Sequence, residues 1–346
     1  FFKLKMSPDI FIGCGVAAAI AAGFNAPLAG ILFAHEAILR HFSLRAIAPI
    51  SIASFSASAF GEYFFGNSPA LFELSQQVPP LNEILPILIL LGPAFAITTV
   101  CFMITLRAAN NFAALNERHK TFLPFIAALI CGSVGVFLPE ILGLGIGAIN
   151  DLIAGNISLM KVSMLLIAKI SMTALCIGFG LFGGIFSPAL FIGVSAGSLA
   201  AGFFAAIGYP DLAQVIIISG MAAVAASVIG APITSVLIVL ELTGSYEYGV
   251  AAMVAVIISS LVTYRAFGLS FFDRQLLDRG IDMRQGRESI ALSQRLVTTC
   301  EHMDFVKLAA RTTGRQAYQL MKDSGTVESY VINETGEYVG KLDIFG

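Results

Sequence analysis

The sequence predicts an all-α, multi-pass membrane protein built on an inverted repeat of broken helices, the first repeat incomplete, with a small α/β tail. Three observations carry this prediction: charge is unevenly distributed, long charge-free stretches are cut by glycine and proline, and one segment recurs at a fixed offset. Of 346 residues, 57% are hydrophobic and 12% are charged, about half the charge of an ordinary soluble chain. Twenty-one of the 42 charged residues fall within the first 272 positions and 21 within the last 74. The chain therefore divides into a membrane domain, 1–279, and a linker with a soluble tail, 280–346.

The stretches Ile84 to Leu106, Thr121 to Pro139, Ile170 to Pro210, Leu212 to Leu240 and Tyr248 to Tyr264 carry no charge. Each matches or exceeds the roughly 20 residues that cross a lipid bilayer. Asn25-Ala-Pro27, Gly92-Pro93, Gly183-Gly184, Ser187-Pro188 and Gly230-Ala-Pro232 interrupt the apolar runs. Backbone broken at membrane depth survives only where protein or a water-filled cavity satisfies the freed groups, so the breaks predict a permeation pathway.

The repeat appears when Gly15 to Pro27 is laid on Gly220 to Pro232, a constant offset of 205. Leu28 to Glu36 then falls on Ile233 to Glu241, and eight of the 22 paired positions are identical, with Gly, Ala-Pro and Glu in register. Paired halves with interrupted helices are the signature of transporters whose site lies between the halves. The same offset puts the counterpart of Gly183 to Pro188 about 20 residues before Phe1, so the chain is expected to begin inside the first half of a longer protein.

Beyond Phe271 the composition turns to mixed charge. Arg315 to Gly325 predicts an amphipathic helix with a glycine stop. Tyr330 to Leu342 predicts two short strands around a glycine-containing turn.

Several function classes are excluded at this level. A formal net charge of −2 offers no basic surface for neutralising phosphates, so nucleic acid is not a partner. Cys14, Cys101, Cys131, Cys176 and Cys300 are widely spaced, without a CxxC pair or a histidine at metal-ligand spacing, and are packing residues. There is no phosphate loop and no Ser/His/Asp grouping, so neither an enzyme nor a resident cofactor is expected.

The strongest local signal is Gly183-Gly184-Ile185-Phe186-Ser187-Pro188, followed by small residues at Gly193 to Gly197. Two glycines allow a tight turn, proline suits the first turn of a helix, and the backbone N–H groups there have no intrahelical acceptor. Such a start, with about half a positive charge from aligned peptide dipoles, suits a small anion.

These residues resemble a known family. Gly183 to Pro188 is similar to the GxFxP element of the CLC chloride channels and proton/chloride antiporters, Gly23 to Phe33 to another typical segment, and Gly230 to Thr243 to a late helix. The likeness covers about Ile10 to Leu277. It implies a CLC-type fold, transport of chloride or another small anion, and an anion held by the backbone at Gly184, Ile185 and Phe186. The family's other anion contacts, a Gly-Ser-Gly-Ile-Pro loop and the loop bearing a gating glutamate, are expected before residue 1.

Two departures bear on mechanism. Antiporters of the family commonly carry paired acids after the Leu-Phe segment, the second accepting protons from the inner side; here Glu36 is followed by Ala37. That alanine favours passive, voltage-gated-type conduction. The alternative is proton-coupled antiport through a nearby group, with His35 or Glu36 the candidates, since intramembrane ionisable residues are functional by default. Glu36 could equally terminate or pack a helix like its repeat mate Glu241. The second departure is Phe272, which stands where many members have a tyrosine closing the inner end of the site; it keeps the bulk and loses the donor.

The resemblance further implies homodimers, with Leu28 to Arg40, Ser43 to Phe60, Ile233 to Glu241 and Val250 to Tyr264 at the interface, and a cytoplasmic tail. From about Gln285 to Gly346 the tail looks like part of a cystathionine-beta-synthase-type (CBS) module. Paired modules of this kind can bind adenine nucleotides; one partial copy favours an interaction or regulatory role instead. A membrane-anchored CBS-type sensor is the remoter alternative, and the unbroken Gly183 to Pro188 motif speaks against it.

Overall fold

The computed structural model describes residues 7–66, 79–116, 121–278, 280–281, 306–326 and 328–343. These fall into two units, Phe1–Gln275 and Leu276–Gly346. In the first, local sequence sets most helix ends. Helix α1 (Pro8–Phe24) opens on a proline and stops at Asn25, whose backbone is left-handed at φ 49°. Helix α2 (Pro27–Phe33) restarts on the next proline and winds into a π-helical stretch, Ala34–Leu39, ended by left-handed Arg40. There follow α3 (Leu44–Phe65), α4 (Leu81–Leu115), α5 (Leu123–Phe137), α6 (Ile146–Ile153) and α7 (Leu159–Gly178). Then come α8 (Phe186–Ala206), α9 (Ala213–Ile229), α10 (Pro232–Thr243), α11 (Tyr246–Phe267) and α12 (Phe271–Asp278). Among the described residues, six helical stretches are long and apolar enough to cross a membrane.

Two sequence expectations change. No break occurs at Gly92-Pro93: α4 runs through it with Pro86 and Pro93 inside. Gly92 is needed for contact instead, because a Cβ there would lie 2.5 Å from Cγ2 of Ile258 on α11. Each proline removes only one ladder hydrogen bond from a helix of 35 residues that neighbours hold on several sides. The second change concerns Thr121 to Pro139, whose helix α5 has only 15 residues and falls short of a full crossing.

The centre of the unit is α9, buried from Val215 to Ile229 without interruption. Its residues are apolar all round, as a helix enclosed by others requires. Helix α8 approaches it backbone to backbone: a Cβ on Gly193 would lie 2.6 Å from the Gly220 carbonyl oxygen, and one on Gly197 would lie 2.6 Å from Cα of Ile217. Only glycine permits this distance, and small residues at helix contacts are how packing is achieved where lipid supplies no hydrophobic drive.

The repeat read from sequence has a structural counterpart in matching backbone angles. Ala26 before α2 sits at φ −127°, ψ 73°, and Ala231 before α10 at φ −127°, ψ 71°. The residues before them, Asn25 and Gly230, are both left-handed. The two short helices then exchange caps. Glu36 accepts hydrogen bonds from the amides of Ile233 at 3.0 Å and Thr234 at 2.8 Å, and from the Thr234 hydroxyl at 2.6 Å. Glu241 accepts from the amides of Leu28 at 2.8 Å and Ala29 at 2.7 Å. Each carboxylate, carried beyond the end of its own repeat's helix or in its last turn, closes the start of the other's.

In the second unit, β1 (Val306–Ala309) pairs parallel with β2 (Glu328–Ile332), which pairs antiparallel with β3 (Tyr338–Asp343). Helix α13 (Gly314–Asp323) buries Ala317 and Met321, and left-handed Gly325 follows its end. Helix and strands lie where the periodicity put them. The first part of the tail, 282–305, with Cys300, lies outside the described residues.

The exchanged caps make a direct stability test. Glu241→Ala leaves two orphan amides at membrane depth, and hydrogen bonds to a charged group are worth about 1.5–3 kcal/mol each. The expected outcome is a clear fall in the midpoint of heat-induced loss of the monodisperse peak in detergent. Glu36→Ala is expected to match it, while Glu334→Ala on the tail surface is expected to leave the midpoint unchanged.

Candidate functional site

The site is built where α7 hands over to α8. Helix α7 ends at Gly178, where a Cβ would lie 2.4 Å from that of Ala109 on α4. The chain then turns at Gly180, with φ 93°. Sequence reasoning gave the tight turn to Gly183 and Gly184, but neither has a positive φ. A Cβ on either would meet nothing within 4 Å, and both line a cavity of about 610 Å³. These two glycines therefore leave backbone uncovered at the helix start, and the turn itself belongs to Gly180.

Ile185 is buried and occupies the position before α8, whose first residue is Phe186. The first amide with an intrahelical acceptor is Ala189, bonded to the Ile185 oxygen at 3.0 Å. The amides of Phe186 and Ser187 precede it, and Pro188 has no N–H to place. The ring of Phe186 is set edge-to-face against Phe24 at 5.3 Å and Phe33 at 5.6 Å, which fixes it to the C-terminal ends of α1 and α2. The Ser187 hydroxyl donates to the Leu144 carbonyl at 3.0 Å, anchoring the first turn of α8 to the loop before α6.

Lys169 on α7 also lines this cavity and is 3% exposed. Its ammonium donates to the carbonyls of Ile141 at 2.7 Å and Gly143 at 3.2 Å, and sits 4.8 Å from the centre of the Phe191 ring. Carbonyl dipoles and a ring face solvate the charge without cancelling it, as a carboxylate would. A buried cation beside a helix start gives the cavity a positive potential in low dielectric, the condition for holding a small anion. Cys131 and Cys176 line the same cavity as free thiols.

The remaining sequence candidates are elsewhere. His35, Glu36 and Ala37 line a second cavity of about 330 Å³, together with Arg40, Gly230 and Asp273. Glu36 is committed to the cap of α10. Phe272 packs partly buried against the main core and edge-to-face with Phe271 at 6.0 Å, and it is not among the residues lining either cavity.

Sequence reasoning passed over two features. Lys169 was visible as the lone charge between two apolar stretches, although nothing local showed it facing the motif. The ion pair of Arg40 with Asp273, separated by 233 positions, has no local signal at all.

If Lys169 gives the cavity its potential, Lys169→Met is expected to weaken bromide binding to the complete protein by about tenfold, or ~1.4 kcal/mol. Titration calorimetry checks this, with Lys169→Arg expected to retain most of the affinity.

Comparison with known proteins bears on the family of the chain. The family described as voltage gated chloride channel matches residues 1–264. The H(+)/Cl(-) exchange transporter ClcA of Vibrio vulnificus (strain YJ016) is 33% identical over 280 residues, covering 78% of this chain and 59% of that protein. The transporter of the same name from Yersinia pestis bv. Antiqua (strain Angola) is 30% identical over 302 residues, covering 84% of this chain and 62% of that protein. The chain thus spans about three fifths of the curated relatives it matches. Among solved structures, a slow cyanobacterial Cl-/H+ antiporter superposes with a TM-score of 0.72 at 22% identity, over 84% of this chain and 68% of that one. The broken repeat, the glycine-uncovered start of α8 and the match over residues 1–264 lead to one conclusion: the chain belongs to the voltage gated chloride channel family.

Proposed function

We propose that the complete protein exchanges chloride for protons across a lipid bilayer. The observation that carries the chloride half is the start of α8, whose amides at Phe186 and Ser187 open towards a cavity charged by buried Lys169. Gly184, Ile185 and Phe186 hold the anion through backbone groups; Phe272, which does not line this cavity, takes no part in that contact.

The proton half rests on the relatives, which are named as exchangers. The expectation of passive conduction, drawn from Ala37, gives way to exchange for that reason. Ala37 itself binds no proton, so the coupling group is a different side chain of this chain. Glu36 is a poor choice, because both its oxygens are taken by the amides of α10. The exposed apolar residues Leu44, Ile52, Phe55 and Phe60 on α3, with Ile233 and Leu261, support a homodimer interface. The tail serves interaction or regulation, without an assigned nucleotide.

Two measurements test this. Bromide soaked into crystals of the complete protein is expected within hydrogen-bonding reach of the Ile185 and Phe186 amides; anomalous density confined to other places would reject the site. Complete protein in liposomes with a chloride gradient is expected to drive protons uphill at a fixed ratio to chloride. Chloride flux without proton movement would return the reading to passive conduction.

A further inference from the structure

We infer that His35, through its Nε2 atom, is the group that takes up and releases protons on the Glu36 side of this protein. The inference rests on the exchange reading and names the side chain that reading requires.

His35 is 1% exposed. Its Nδ1 lies 2.9 Å from the Ile31 carbonyl oxygen, which can only accept, so in the neutral ring Nδ1 carries the hydrogen and Nε2 the lone pair. Nε2 is buried and has no hydrogen-bond partner among the described residues. An unpartnered buried nitrogen costs stability, and its persistence calls for a reason.

Scaffold needs do not supply one. At the offset of 205 the partners of His35, Ala37 and Arg40 are Leu240, Leu242 and Ser245. Both repeats keep the capping glutamate, and the second repeat does so with leucine before it in a regular α-helix, Pro232–Thr243. Leu240 packs against Gly249, an apolar role that histidine does not reproduce. The first repeat instead has a π-helical stretch, Ala34–Leu39, a rare geometry found mostly at functional sites. Where the pseudo-symmetry fails, a titratable ring has been inserted.

The surroundings give that ring a route to water. The cavity of about 330 Å³ lined by His35 shares Gly230 and Asp273 with a neighbour of about 240 Å³. The neighbour is lined by the hydroxyl residues Ser227, Ser260, Thr263 and Ser270. The hydroxyls of Ser227 and Ser259 are 3.0 Å apart, and Thr263 keeps a buried oxygen without a partner among the described residues. Both cavities are lined mainly by apolar atoms, and these hydroxyls are the points at which a water entering them is hydrogen-bonded.

The charged and titratable groups near the ring are Glu36, Arg40 and His41 on its own segment, with Arg45 on α3, whose Ala46 and Ile50 cluster with Ala34 and Leu39. Glu36 is held by α10, and Arg40 is paired with Asp273, which also accepts from the Ser270 hydroxyl at 2.8 Å. Helix α1, packed against the other side of the stretch, carries Asp9 and Cys14, and α2 carries no ionisable side chain. In the step itself, an excess proton from the bulk is relayed through cavity water, each water passing one proton on and receiving another, and the last O–H bond breaks as the Nε2–H bond forms, giving an imidazolium that keeps its Nδ1–H bond to Ile31. The same nitrogen later returns that proton, and no other bond in the protein changes. Phe42 stacks on the ring at 5.5 Å and 6°, and with the Ile31 carbonyl it fixes the ring's orientation.

The test uses complete protein in liposomes, with chloride and proton movement recorded together. His35→Phe is expected to cut protons moved per chloride by about tenfold or more, as loss of a positioned proton carrier does, while downhill chloride flux continues. Adding Ala37→Glu to His35→Phe is expected to restore proton movement. An unchanged ratio in His35→Phe, where the parent protein exchanges, overturns this inference alone. A parent protein that moves chloride without protons overturns the exchange reading and this inference with it. Loss of chloride flux in both His35→Phe and His35→Gln, with the detergent-solubilised peak intact, makes the ring a scaffold residue and also overturns it.

Discussion

The membrane unit depends on an exchange of carboxylates. A short helix at membrane depth begins with amides that lipid cannot satisfy, and this fold contains two such helices, α2 and α10, each begun by an Ala-Pro pair. Neither repeat solves the problem internally. Glu36 closes α10 and Glu241 closes α2, so each half is incomplete until the other has folded onto it. The negative charge that would be costly at this depth is compensated by two helix dipoles, and the glutamates cannot be varied separately from the breaks they serve.

A third helix start, that of α8, meets no carboxylate among the described residues. Its neighbours show the difference: Gly183 and Gly184 leave the backbone bare, Phe186 is pinned by Phe24 and Phe33, and Lys169 is solvated by carbonyls. The same physical element, a helix N-terminus, is thus twice joined to a carboxylate and once faces a cavity lined by Lys169. What distinguishes the uses is whether the chain brings an acid to it.

Much of this was legible in the sequence. The register of Gly15 to Glu36 on Gly220 to Glu241 disclosed the repeat, and Ala-Pro marked both capped helices. Asn25 and Gly230 are residue types that tolerate the left-handed angles the breaks require, so those boundaries were local information. Gly92 misled because glycine has two uses: beside a proline it resembles a break, while here it admits Ile258. The same ambiguity moved the turn from Gly183 to Gly180. Reciprocal capping was out of reach, since Glu36 to Thr234 spans 198 positions and no local pattern reports a partner that distant. Lys169 was visible as a charge but its orientation was set by the loop at Ile141 and Gly143.

The glycine seam between α8 and α9 has a mechanical consequence. Gly193 and Gly197 fix α8 against the most deeply buried helix, roughly 10 to 16 Å along the axis from Phe186 at 1.5 Å per residue. Helix α8 is then a stiff rod clamped near its middle with its tip at the site, and side-chain bulk at the clamp becomes displacement at the tip. One methyl group on the seam must push the rod from α9, carrying the Ile185 and Phe186 amides with it. Two residues that line neither cavity thereby act as the fulcrum that decides where the start of α8 lies.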